Sequence, residues 1–258
     1  MKITVLTLFP EMFDSFLNSS IIKRAIAKGV VSFNFVNIRD FTLDKNHRVD
    51  TPPIGGGAGL IMKAQPIIDA LNSVKNENST TILFSPRGKT YNQKEAERYK
   101  NENKDLILIC GHYEGIDERV NKYVDELVSI GDYILTGGEI AAVTLIDSIT
   151  RLIDGAISKE SIKEESFTND LLEYPQYTEP YDYNGDKVPQ ILYSGNHEAI
   201  DKYRKKESLR LTRIYRKDLF DKYNLTKLDK KLLKEIDEND EEPDWYKSAI
   251  NKGKKFMK

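Results

Sequence analysis

Along the first half of the chain, short apolar runs alternate with longer stretches of mixed character, and the hydrophobic period switches between strand-like and helix-like spacing. Residues 3–8, 33–38, 81–84, 106–110 and 126–130 are rich in β-branched or aromatic side chains and mostly close on Gly, Pro or Asp, which predicts strands. Between them, residues 11–28, 65–72, 93–101 and 117–123 predict crossover helices, with Asp117 placed to cap the first amides of the last one. Strand and helix in alternation predict an α/β fold with a largely parallel sheet covered on both faces.

The clearest helix spans residues 139–153, where Ala142, Leu145, Ile146, Ile149, Leu152 and Ile153 recur at three- and four-residue spacing. Such a face reads equally as packing on the sheet or as a subunit interface. Over residues 154–170 the periodicity fails and the composition turns polar, as in a mobile connection. The expected organisation is therefore an α/β domain at 1–157, a linker at 158–170 and a small helical domain at 171–258. That second domain opens with a Pro/Tyr-rich turn region at 174–181. It continues with helices at 197–210 and 218–223 and ends in a charged segment around Trp245. The acidic run at 235–244 reads as a solvated face, and Tyr203 and Tyr215 read as packing rather than stacking residues.

Composition narrows the function classes. With 258 residues, 39% hydrophobic and 31% charged, the chain can build a core without disulfides or structural metal. A net charge of −2 argues against coating nucleic acid by bulk charge, yet residues 201–217 hold eight basic residues against two acidic ones. That local surplus reads as a solvated helix face or as a phosphate-backbone contact. A lone Cys110 and three scattered histidines exclude an internal disulfide and argue against a zinc site. The first residues run straight into a strand pattern, and nowhere do roughly 18 apolar residues follow one another, so the expected location is the cytoplasm, away from membranes.

Glycine loops stand beside the predicted strands. The run Pro53-Ile-Gly-Gly-Gly-Ala-Gly59 matches neither a phosphate loop nor a dinucleotide fingerprint, and reads equally as a close-approach site or a structural turn. Ser85-Pro-Arg-Gly88 reads as an ordinary turn. Cys110-Gly-His-Tyr-Glu-Gly-Ile-Asp117 holds an acid and an aromatic between two glycines, where a core has no use for them. Ile130-Gly-Asp-Tyr-Ile-Leu-Thr-Gly-Gly138 leads directly into the strongest helix. Loops of this kind at successive strand ends suggest one pocket made of backbone, better suited to adenine than to a polyphosphate.

At these loops the sequence resembles the bacterial tRNA (guanine-N1)-methyltransferase family of the SPOUT class. The motifs that carry the resemblance are Leu8-Phe-Pro-Glu-Met-Phe13, His47-Arg-Val-Asp50 with the glycine run after it, and Cys110-Gly-His-Tyr-Glu-Gly-Ile-Asp-Glu-Arg-Val120. Ser129-Ile-Gly-Asp-Tyr-Ile-Leu-Thr-Gly-Gly-Glu139, Leu145-Ile-Asp-Ser-Ile-Thr-Arg151 and Ser194-Gly-Asn-His197 complete the set. The resemblance implies a homodimer with active sites between subunits, a trefoil-knotted cofactor site, S-adenosylmethionine as methyl donor and tRNA as substrate. The methylated atom would be N1 of the guanosine immediately 3′ of the anticodon, where another guanosine precedes it. Carried over position by position, the cofactor contacts are Leu83, Ser85, Pro86, Gly111, Tyr113, Glu114, Ile130, Gly131, Tyr133, Leu135, Gly137 and Gly138. Substrate contacts fall on Asp50, Gly56, Ser166, Lys205 and Arg210.

Chemistry sets two further requirements. Guanine N1 carries a proton at neutral pH, so a general base must remove it, and the charge that spreads onto O6 needs a nearby cation. By resemblance Glu165 is the base, in Glu165-Ser166-Phe167 where the family has Asp-Ser-Phe, with Glu164 as its competitor, and Arg151 is the cation. Magnesium is a further expectation. Thr51, Ile54, Ala141 and Glu179 depart from the family's pattern, as does His112, where an Arg is common. The competing readings are a knotted RNA methyltransferase of other specificity and a non-catalytic RNA-binding protein.

Overall fold

The computed structural model describes residues 1–158, 165–167, 170–252 and the backbone of 253. The chain divides into two compact units, Met1–Lys159 and Glu160–Lys258.

Unit 1 is built on a five-stranded sheet of β1 (Lys2–Thr7), β2 (Ser32–Asn37), β5 (Ser79–Thr90), β6 (Asp105–Ile109) and β7 (Glu126–Ser129). Its order is β2-β1-β6-β5-β7 and every neighbouring pair is parallel. A separate two-residue pairing of β3 (Asp50–Thr51) with β4 (Ile61–Met62) frames the glycine run.

Period-two alternation splits the sheet into two cores. Ile3, Val5, Ile82, Leu106 and Leu108 pack on α2 (Ser20–Ala27), α4 (Gln93–Glu102) and α5 (Glu139–Thr150). Leu6, Leu83, Ile107 and Ile109 face α3 (Ala64–Asn72) on the opposite side. Both faces are covered, as the alternation of elements requires. For α5 the open question resolves: Ala142, Leu145, Ile146 and Ile149 are fully buried in the first core, so its apolar face packs on the sheet.

The expected helix at 11–28 is broken into a 3-10 turn at Pro10–Phe13, α1 (Asp14–Leu17) and α2. Asn18 Nδ2 donates to the Asp14 carbonyl at 2.8 Å and Ser19 Oγ to that of Phe16 at 2.6 Å, so side chains take up the carbonyls that would continue the helix. Residues 118–122 form a 3-10 helix whose cap is Asp117, as expected, accepting from the Arg119 N–H at 3.0 Å. The strand expected at 81–84 does not stop at the Ser85–Gly88 turn. It loops out there and pairs with β7 again through Lys89 and Thr90.

The described residues of unit 2 are mainly helical after an irregular opening stretch that carries the small hairpin of β8 (Asp182–Tyr183) and β9 (Asp186–Lys187). Its helices are α6 (His197–Tyr215), α7 (Lys217–Phe220), α8 (Lys227–Asp237) and α9 (Asp244–Gly253). α6 runs five residues beyond the expected end, and α7 is a single turn rather than a helix over 218–223. α8 starts on a capping box between Thr226 and Asp229 that the sequence reading missed. Leu171, Leu209, Leu232 and Leu233 form one core with Trp245 against it.

Two expectations are corrected here. Glu235, read as solvated, is 8% exposed and accepts from Trp245 Nε1 at 3.2 Å, with Lys206 Nζ at 3.5 Å. Tyr203 packs edge-on against Tyr246, but Tyr215 is 71% exposed.

Because β6 is the middle strand and Leu108 is fully buried, Leu108→Ala should cost about 2–5 kcal/mol of stability. The exposed Tyr215→Ala should stay within about 0.5 kcal/mol of the parent. Urea unfolding followed by circular dichroism measures both, and equal effects would contradict this packing.

Candidate active site

Strand order does what sequence order does not. β6, β5 and β7 are parallel neighbours, so their carboxyl ends, where ligands of open α/β sheets gather, lie side by side. Their loops line a cavity of about 420 Å³, within the range of small-molecule sites. Each cofactor position named from the sequence is on its lining. Leu83, Ser85 and Pro86 come from the first loop, Gly111, Tyr113 and Glu114 from the second, and Ile130, Gly131, Tyr133, Leu135, Gly137 and Gly138 from the third.

The second and third loops touch through backbone. Gly138 N–H donates to the Gly111 carbonyl at 2.9 Å, and His112 bridges to Gly137. A Cβ on Gly138 would stand 2.7 Å from the Cys110 Cα, so a side chain there would force the loops apart.

Beneath them lies a buried carboxylate that the sequence reading missed. Glu139, the first residue of α5, is 1% exposed. Its Oε1 accepts from Thr7 Oγ1 at 2.6 Å, and its Oε2 shares a 2.7 Å hydrogen bond with His112 Nε2. Thr7 Oγ1 also accepts from the Phe9 N–H at 2.9 Å, and the Phe9 ring meets the His112 imidazole edge-on at 4.7 Å. The His112 N–H points at Met62 Sδ, 3.2 Å away. An acid at a helix N-terminus reads in sequence as a routine complement to the dipole, which is why Glu139 drew no notice. Burial, reinforced by the Glu139 charge, pushes the Cys110 thiol well above its ordinary range.

At the rim, Arg87 from the first loop makes two hydrogen bonds to Glu118, at 3.1 and 2.9 Å, which hold that carboxyl below its usual value. Tyr113 adopts a left-handed backbone with φ of 60°. Burial and the neighbouring Asp50 carboxylate raise its phenol, while Arg39, a second residue the sequence reading missed, acts in the opposite sense. The candidate substrate residue Asp50 therefore sits beside a candidate cofactor residue. Gly56, at φ of 87°, belongs to the loop between β3 and β4. That loop is tied to the cavity by the Glu114 N–H to the Leu60 carbonyl at 3.0 Å and the Met62 N–H to that of Gly115 at 2.9 Å.

Arg151, inside the expected helix of 139–153, is the half-buried C-cap of α5, one residue past its end, with its N–H on the Asp147 carbonyl at 3.1 Å. In unit 2, Ser166 Oγ accepts from the Glu173 N–H at 2.9 Å. Glu165 is half-buried and lines a cavity of about 170 Å³ with Tyr174, Arg204, Lys205 and Ser208. Glu164 lies outside the described residues, as does most of the expected linker.

The basic stripe looks different in three dimensions. Acids from beyond it stand against it: Asp229 3.7 Å from Lys205, Asp237 2.7 Å from Arg213, Asp218 2.7 Å from Arg216 and Asp221 2.8 Å from Lys217. Within the stripe, Arg210 pairs with Glu207 at 2.6 Å. Lys205 Nζ also donates to the Tyr223 hydroxyl at 2.8 Å. Lys205 and Arg210, expected on RNA, both have partners inside the unit.

Among the described residues no group of three or more His, Cys, Asp or Glu side chains comes together to hold a metal ion. No helix among them is long and apolar enough to cross a membrane.

Comparison with known proteins matches residues 1–222 to the family described as tRNA (Guanine-1)-methyltransferase TrmD. A protein of Clostridium botulinum (strain Langeland) is 55% identical over 238 residues, covering 92% of this chain and 98% of its own. A Malacoplasma penetrans protein is 56% identical over 223 residues, covering 86% and 98%. One from Clostridium acetobutylicum is 54% identical over 235 residues, covering 90% and 96%. All three are named tRNA (guanine-N(1)-)-methyltransferase.

The seal over Cys110 is testable. Native protein at pH 8 should leave this thiol unreacted with iodoacetamide until it unfolds. Gly138→Ala, by parting the two loops, should speed labelling roughly tenfold or more. Native wild-type protein labelling as fast as a free thiol would refute the packing described.

Proposed function

The chain belongs to the tRNA (guanine-1)-methyltransferase family, and from that premise we propose that it transfers a methyl group from S-adenosylmethionine to N1 of a tRNA guanosine. The proposed position is the guanosine immediately 3′ of the anticodon where another guanosine precedes it, and the proposed setting is a cytoplasmic homodimer. The observation that carries the reading is the single cavity onto which all the cofactor positions converge.

The donor set fits an adenosine-containing cation. The lining is largely glycine backbone, apolar side chains and tyrosine, which offer amide donors and acceptors to adenine and flat faces to a ring. Its one guanidinium, Arg87, is engaged by Glu118, so nothing there is set to neutralise a polyphosphate. Glu114 adds a carboxylate suited to a positively charged ligand. The close approach of the 110–117 and 130–138 loops is what a knotted site requires, and we include the knot in the proposal.

When bound, S-adenosylmethionine supplies an electrophilic methyl group on a sulfonium, which departs as a neutral thioether. The rest falls to side chains. Glu165, delivered by the partner subunit, accepts the N1 proton of guanine and so frees the lone pair that forms the new N–C bond. Its extra methylene relative to aspartate is accommodated by the segment that carries it. As N1 loses its proton, charge moves onto O6, and the Arg151 guanidinium stabilises that oxygen more in the transition state than in the ground state. Ser166 orients the segment through its bond to Glu173, and Asp50 and Gly56 border the base from the glycine loop. Lys205 and Arg210 exchange or share their internal partners with RNA phosphates. Magnesium would shield O6, although the described side chains provide no ligand cluster for it.

Glu165→Gln should lower methyl transfer by about 10²–10⁴ while affinity for S-adenosylmethionine, measured by calorimetry, is kept. Wild-type activity should fall as pH drops through the ionisation of the base, and that acid limb should be missing from the residual rate of the variant. Arg151→Ala should lower the rate without removing the limb. Unchanged turnover in Glu165→Gln would move the base elsewhere, and methyl label on a different base would reassign the specificity.

A further inference from the structure

Unit 2 contains a second cavity, of about 390 Å³, that none of the roles above uses. It is lined by Tyr174, Tyr177, Glu179, Tyr193, His197 and Arg204, with the polar Gln176 and Thr178 and a few aliphatic residues between them. Its aromatic rings do not behave as core. Tyr177 is 44% exposed and Tyr193 38%, and Tyr193 is propped edge-on by Tyr181 at 5.6 Å. The Arg204 guanidinium lies over the Tyr174 ring at 4.7 Å, so a planar cation already stacks on one wall. His197 opens α6, whose first amides are capped through Asn196. Glu179 is the one acid on the lining.

We propose that this cavity takes one unstacked nucleotide of the tRNA, with tyrosine rings as the stacking platform, and that Glu179 selects guanine. Unpaired bases are recognised by stacking on aromatic and guanidinium planes and by hydrogen bonds to their Watson–Crick edge. Guanine is the base that presents two adjacent donors on that edge, N1–H and the N2 amino group, and a carboxylate accepts both. The histidine at the helix start offers a donor to the sugar–phosphate side, and Arg204, 3.8 Å from Asp201, adds positive charge there. This inference rests on the tRNA reading above and extends it to a second contact in a different unit. It also supplies what the largely paired basic stripe does not, a recognition element that depends on base rather than on charge.

The test uses the full chain and fluorescein-labelled single-stranded RNA and anticodon stem–loops, read by anisotropy. Tyr193→Ala should weaken binding roughly tenfold, the effect of losing one stacking face, and Tyr193→Phe should restore it. Replacing guanosine by inosine, which lacks the N2 amino group, should weaken binding to wild type several-fold, and Glu179→Gln should erase that difference. Circular dichroism should match wild type in each variant. Wild-type affinity in Tyr193→Ala, or indifference of the wild type to inosine, would overturn the pocket while leaving the methyltransferase reading intact. Displacement of the RNA by a proline-rich peptide, with loss of the Tyr193 effect on RNA, would reassign the cavity to a protein partner. Failure of wild type to bind any tRNA would overturn both readings.

Discussion

The geometry of unit 1 turns on a carboxylate taken almost completely out of water. An isolated buried charge is costly enough that it is normally neutralised or expelled. Glu139 is retained because two partners meet it from segments distant in sequence, Thr7 at the end of β1 and His112 in the loop after β6. Its own backbone begins α5, so one side chain joins the first strand, the second cavity loop and the helix that seals the sheet. Remove that node and the loops lose the floor on which their backbone contacts rest. His112 makes its side of the junction with a flat ring that also packs on Phe9.

Much of unit 1 was legible in the sequence because burial on both faces of a parallel sheet leaves a continuous apolar signature. Leu106, Ile107, Leu108 and Ile109 alternate between the two cores, and the edges of their strand fall within a residue of expectation. The break after Leu17 was not legible, since it depends on hydrogen bonds of Asn18 and Ser19 that compete locally with a helix the composition allows. Glu139 escaped notice for a related reason: its significance lies in partners 132 and 27 positions away. The candidate loops were visible as glycine clusters, yet only the β6-β5-β7 order makes them neighbours.

Charge was the least legible property. A window over residues 201–217 counts cations along a line, whereas the acids that face them arrive from α7 and α8. The same folding-back moves Glu235 from an apparent solvated run into the interior, where it meets an indole and an ammonium. Local composition thus overstated the field on this unit. Its aromatic surface falls partly in the Pro/Tyr-rich segment that composition marks, but without periodicity nothing in the sequence marks it as a cavity wall.

One arrangement in unit 2 carries an optical consequence. Trp245 is the chain's lone tryptophan, with an ammonium from Lys202 4.2 Å above its ring and the Glu235 carboxylate on its Nε1. Indole emission shifts with the charges around it, so fluorescence excited beyond the absorption band of the tyrosines comes from Trp245 and reports on the surroundings of this unit.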